Sequence, residues 1–156
     1  RLSTAEIIVE IFRHRAPRPH VLQAISRLRQ NGIPTLALTN AWPTGEPPSE
    51  AETALREAFD HWLASNEHGL RKPDPKFLAL ACDVLEREPA SIAYLDEVGT
   101  NLKPAAKMGM TTIKVRDPVA ALVELGEAMG LMLVDEEDLT DREDDDSRHK
   151  ESEPDE

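Results

Sequence analysis

Three short apolar runs, separated by stretches of helical periodicity, constrain this 156-residue chain most. Residues 35–39 (TLALT), 92–95 (IAYL) and 111–115 (TTIKV) are too short for helices and are bounded by turn residues, so each reads as a buried strand. Helices fill the spaces between them. Val21, Leu22, Ile25 and Leu28 share one face of a segment over residues 20–31, which Gly32 stops. Ser49 and Glu52 have the spacing of a reciprocal N-terminal cap, and Ala51, Ala54, Leu55, Ala58, Phe59 and Trp62 then line one face of a single helix. Asp74-Pro75 launches residues 76–86, residues 102–108 form a short helix closed by Gly109, and Asp117-Pro118 starts one that runs to residue 129. Nearer the start, Ile7, Ile8, Ile11 and Phe12 recur at helical spacing behind Ser3 or Thr4, which predicts an amphipathic helix ended by Pro17 and Pro19.

Alternation of strands and helices predicts an α/β fold, a three-layer Rossmann-like parallel sheet with helices on both faces. Chemistry in such sheets gathers at the C-terminal ends of the strands. Thr39, Asn40, Asp96 and Glu97 all fall there.

Of the net charge of −12, −10 lies in residues 135–156, DEEDLTDREDDDSRHKESEPDE, so the body is close to neutral. With almost nothing apolar to bury, that tail is expected to be disordered, either as a solvating end or as a docking segment for a basic protein partner. A like-charged tail repels a phosphate backbone, which argues against nucleic acid. One cysteine, Cys82, rules out an internal disulfide framework, and no apolar run reaches the length of a membrane helix. A cytoplasmic protein is expected. Since the chain starts at Arg1 and not at a methionine, it is expected to be a fragment.

Four positions carry candidate chemistry. Thr39 and Asn40 bring a hydroxyl and an amide to one strand tip, where they either bind an oxyanion or form a turn. Lys72 precedes Pro73-Asp74-Pro75, a rigid segment that holds its ammonium near a fixed point, and a compact charge there suits a phosphate dianion and neighbouring carboxylates. Taken alone it is a surface lysine beside a helix start. Asp96 and Glu97 are adjacent acids that repel unless a cation joins them, and hard oxygen ligands of this kind suit Mg²⁺. Each alone is a strand-end acid; the conjunction at one sheet edge favours a metal-assisted phosphoryl site. Asn101 either holds the acid turn or caps the next helix, and the cap is the expectation. The five histidines show no metal-ligand spacing, and no serine sits in a nucleophile turn.

RPHVLQAISRLRQNGIPTLALTNAW, GLRKPDPKFL and SIAYLDEVGTNLKPAAKMGMTTIKV, in that order, resemble the haloacid dehalogenase-like hydrolase superfamily. The likeness spans residues 19–130 and is greatest to the N-terminal phosphatase domain of soluble epoxide hydrolases and to its relatives fused to acyl-CoA dehydrogenases. It implies hydrolysis of a small-molecule phosphate ester through an aspartyl-phosphate, with Thr39 and Asn40 binding the phosphoryl group, Lys72 as the catalytic lysine, and Asp96 and Glu97 holding Mg²⁺.

Two departures stand out. The family's first strand ends in Asp-x-Asp, nucleophile then general acid and base, and nothing of the kind precedes Thr39. The second acid of the pair is commonly aspartate and here is Glu97, one methylene longer. The resemblance therefore implies that residues 1–16 are the end of a helical cap domain, residues 17–133 the C-terminal part of the core, and residues 134–156 the tail. The missing strand belongs between the strands ending at Thr39 and Asp96, so the sheet is expected to have two open edges there. On this reading the chain is a hydrolase fragment, inactive alone and with a weak metal site; the alternative is a catalytically dead binding or scaffolding module with an acidic docking tail.

Overall fold

The computed structural model describes residues 6–9, 18–43, 45 and 47–139. Strands β1 (Glu6–Val9), β2 (Thr35–Thr39), β3 (His61–Ala64), β4 (Ile92–Asp96) and β5 (Thr111–Lys114) form one sheet in the order β3-β2-β1-β4-β5. All four pairings are parallel. Between them lie helices α1 (Pro19–Gln30), α2 (Glu50–Ala58), α3 (Ser65–His68), α4 (Pro75–Leu85) and α5 (Gly99–Met108), and α6 (Pro118–Met129) follows β5.

Side chains alternate across a strand, so each central strand feeds two cores. Ala37, Ala93, Leu95 and Ile113 pack on one face with Ile25 and Leu28 of α1, Leu55 of α2 and Leu122 and Leu125 of α6. Leu36, Leu38, Ile92 and Tyr94 pack on the other with Phe77, Leu78 and Leu85 of α4 and Ala105 of α5. These are the three layers expected from the sequence. The anticipated helix starts hold as well: Ser49 accepts a hydrogen bond from the Glu52 N–H, Asp74 from Lys76 and Asp117 from Ala120.

Two expectations are corrected. Residues 6–9 form a strand and not part of a helix, and β1 pairs with β2 on one side and β4 on the other. The sheet centre is thus filled, and the two open edges expected there do not exist. The rest of that expected helix, residues 10–16, lies outside the described residues. A short run such as EIIV satisfies either period, and here two flanking strands decide in favour of extended backbone.

The single helix expected through Trp62 is also broken. It ends at Ala58, Phe59 is extended (φ −86°, ψ 151°), and His61–Ala64 pairs with β2 as an edge strand. Asp60 fixes the break. Its carboxylate accepts from the Thr35 backbone N–H at 2.8 Å, the Thr35 hydroxyl at 2.9 Å and Arg29 at 2.8 Å, tying the start of β3 to the start of β2. Burial pushes its pKa up, but the Thr35 N–H, the Thr35 hydroxyl and the Arg29 guanidinium outweigh that and hold it below the ordinary aspartate value. A depressed folded-state pKa gives stability that is present above the unfolded pKa and lost as pH falls through the folded one. Asp60→Asn is therefore expected to flatten the fall in melting temperature below about pH 4, measured against the parent chain.

The expected tail boundary moves too. Leu133 and Val134 are buried against the α1–α6 core, and Asp135 is bonded to Gln23 and Arg27 of α1. Gly126 permits this return: a Cβ there would lie 2.5 Å from the Leu131 carbonyl oxygen. Residues 140–156, the bulk of the expected tail, lie outside the described residues.

Candidate active site

Chain order places a switch beside β1, because the chain moves outward through β2 and β3 and then returns to continue on the other side with β4 and β5. Crevices at such switch points, beyond the C-terminal strand ends, are where open α/β sheets bind ligands. Thr39 ends β2 and Asn40 follows it, Asp96 ends β4 and Glu97 follows it, and Lys72 lies in the segment between α3 and α4.

Four polar or charged side chains are buried among the described residues, and three of them, Lys72, Asp96 and Asn101, belong to one cluster. The Lys72 Nζ lies 3.3 Å from Asp96 Oδ2, with both side chains almost fully removed from solvent. Burying two charges is tolerable only when each is paired and hydrogen-bonded. Asp96 meets that condition fully: Oδ2 accepts from the Tyr94 hydroxyl at 2.6 Å and Asn101 Nδ2 at 3.0 Å, while Oδ1 accepts from the Val98 N–H at 2.7 Å. Asn40 holds the lysine in turn, accepting from the Lys72 N–H at 2.8 Å and donating to the Lys72 carbonyl at 3.0 Å.

Lys72, Asn40 and Asp96 are thus brought together as expected, in altered parts. The Asn40 amide clasps the Lys72 backbone, so its side chain positions the lysine. Asn101 is the holder of the acid turn and not the cap of the next helix; α5 begins at Gly99, with Val98 as a cap residue that makes no side-chain bond. Thr39 is half-buried at the strand tip.

Tyr94 was not anticipated. The signal was present, since this single tyrosine stands two residues before Asp96 in a strand, and residues i and i+2 share a face.

Asp96 and Glu97 also part company. Asp96 is buried with both oxygens committed to donors, so coordinating a cation there would displace bonds that neutralise it. Glu97 is exposed, and its backbone carbonyl accepts from the Lys114 ammonium at 2.6 Å, which anchors the turn to β5. No cluster of three or more His, Cys, Asp or Glu side chains suited to a metal occurs among the described residues. Glu97 is thus the one of the two acids whose carboxylate stays exposed, a hard oxygen donor of the kind that Mg²⁺ takes.

Residues 3–109 match the family haloacid dehalogenase-like hydrolase. The chain is 41% identical over 118 residues to bifunctional epoxide hydrolase 2 of Sus scrofa, an alignment covering 73% of this chain and 21% of that protein. It is 38% identical over 135 residues to acyl-CoA dehydrogenase family member 10 of Mus musculus, covering 85% and 12%. The chain therefore spans about a fifth or less of the length of these two relatives. In fold it is similar to a HAD family enzyme of Bacteroides thetaiotaomicron, solved in complex with magnesium and inorganic phosphate, with TM-score 0.54, 16% identity and coverage of 72% of this chain and 58% of that one.

Proposed function

Because the chain belongs to the haloacid dehalogenase-like hydrolase family, we propose that it carries the phosphate- and metal-handling part of a site for small phosphate esters. The observation that carries this reading is the buried Lys72–Asp96 pair, clasped by Asn40 at the sheet edge where Thr39 ends β2 and Glu97 follows β4.

Charge accounting gives each residue its part. Lys72 with Asp96 is neutral overall, so the pair supplies an oriented ammonium with its charge already balanced. The Thr39 hydroxyl donates to a phosphoryl oxygen, and Lys72 meets charge that develops as the ester bond breaks. Asn40 and Asp96 position the lysine. Two phosphate charges beside Glu97 still need compensation. Mg²⁺ on Glu97 supplies it when bound, polarising the phosphoryl oxygens as a Lewis acid. No aspartate precedes Thr39 in this sequence, so the attacking carboxylate of an aspartyl-phosphate route is not among residues 1–38. That observation favours the second reading, a phosphate-binding module whose acidic tail docks on a basic protein. Among the described residues no helix is long and apolar enough to cross a membrane. We place the protein in the cytoplasm, where its one cysteine, buried Cys82, stays a thiol whose pKa burial raises.

Calorimetric titration with inorganic phosphate in the presence of Mg²⁺ tests the site. The parent chain is expected to bind, and Thr39→Val and Lys72→Met each to weaken binding about ten- to a hundredfold, the range for losing a hydrogen bond to a charged group. Hydrolysis of p-nitrophenyl phosphate by these 156 residues is expected to be absent. Turnover that survives both Lys72→Met and a chelator would overturn the assignment.

A further inference from the structure

We propose that Trp42 and Arg71 form a recognition element for the far end of the ester, selecting substrates whose leaving group bears a carboxylate. The proposal rests on the phosphate-ester reading above and adds a substrate class to it.

Trp42 is 65% exposed, and the Arg71 guanidinium lies over its ring, 4.9 Å from the centroid. Both flank the site in sequence. Trp42 follows Asn40 by two residues, and Arg71 immediately precedes Lys72. Since Asn40 and Lys72 are joined by two reciprocal hydrogen bonds, the segments bearing the indole and the guanidinium are held together as firmly as the site itself.

A second pair in the same protein shows what a structural version looks like. Arg56 lies over Trp62 at 5.0 Å, a nearly identical stack. There the guanidinium edge is consumed by Glu52 at 3.0 Å and Glu67 at 3.5 Å, and the indole is half-buried against the core. Arg71 differs on both counts: its indole is in water, and none of the ion pairs among the described residues involves it. Stacking occupies the face of a guanidinium and orients its edge, and that edge is the fork that matches a carboxylate with two parallel hydrogen bonds. An exposed cation placed one residue from the phosphate-site lysine favours a substrate with a second anion. The planar fork selects a carboxylate.

Two esters that differ only in this group test the idea, 3-phosphoglycerate and glycerol 3-phosphate, titrated by calorimetry with Mg²⁺ present. The parent chain is expected to prefer 3-phosphoglycerate by about tenfold, the lower end for a charge-assisted pair near solvent. Arg71→Met is expected to bring the two affinities within a factor of two, and Trp42→Leu to reduce the preference by loosening the guanidinium. Equal binding of the esters by the parent chain, or a preference that persists in Arg71→Met, overturns the proposal while leaving the phosphate site standing. If inorganic phosphate itself fails to bind, both readings fall together.

Discussion

Asp96→Ala is expected to cost about 3–5 kcal/mol of folding free energy, the scale for removing one partner of a buried ion pair. The loss exceeds that of one contact because four donors lose a bond at once. The Lys72 ammonium, the Tyr94 hydroxyl, the Asn101 amide and the Val98 N–H each lose their bond to this buried carboxylate. Asp96→Asn keeps the shape and part of the accepting capacity and should fall in between. The informative comparison is the double variant Lys72→Met with Asp96→Leu, which removes both charges and is expected to be more stable than Asp96→Ala alone. Urea unfolding of the three variants gives the measurement. A cost below about 1 kcal/mol for Asp96→Ala would match an exposed pair and contradict the buried network.

That network explains why the site was only partly legible in the sequence. Residue types beside the strand ends singled out Thr39, Asn40, Asp96 and Glu97, and the rigid Pro-Asp-Pro segment singled out Lys72; each was weak alone, and their conjunction made the candidate site. Their division of labour was not legible. Asn40 meets Lys72 across 32 positions and Lys72 meets Asp96 across 24, so no local pattern shows that the Asn40 amide and the Asp96 carboxylate are already committed. Adjacent acids look equivalent in a sequence. In the fold, strand alternation turns Asp96 inward beside Tyr94 and leaves Glu97 in water.

The fold shows the same boundary between local and distant causes. Helices with a capping residue were readable, because Ser49, Asp74 and Asp117 act on N–H groups two or three residues away. The strands β2, β4 and β5 were readable as apolar runs bounded by turn residues. What failed were β1 and β3, four residues each. Leu55, Phe59 and Trp62 are spaced for a helix, and only the bonds from Asp60 to distant Thr35 and the exposed edge of β2 break the pattern there. For β1 the deciding partners are β2 and β4, which are remote in sequence.

Removing residues 1–17 is expected to destroy cooperative folding, and this separates the two accounts of the sheet most sharply. With the centre empty, as the sequence suggested, those residues contribute a peripheral helix and their loss is nearly silent. With β1 in the centre, the deletion splits the sheet into β3-β2 and β4-β5, and a two-stranded unit is marginal in water. The edges of β2 and β4 that now pair with β1 would become templates for aggregation. A milder probe is Ile8→Pro, which puts a residue without an N–H in the middle of a strand paired on both sides and should destabilise the sheet without deleting it. Urea titration followed by circular dichroism should show a sharp transition for the parent chain, a lower midpoint for Ile8→Pro, and a shallow, broadened curve with aggregation for the deletion. Were the shortened chain to unfold at the parent midpoint with the parent slope, residues 6–9 would contribute nothing to the sheet, and β2 and β4 would have to close directly on one another.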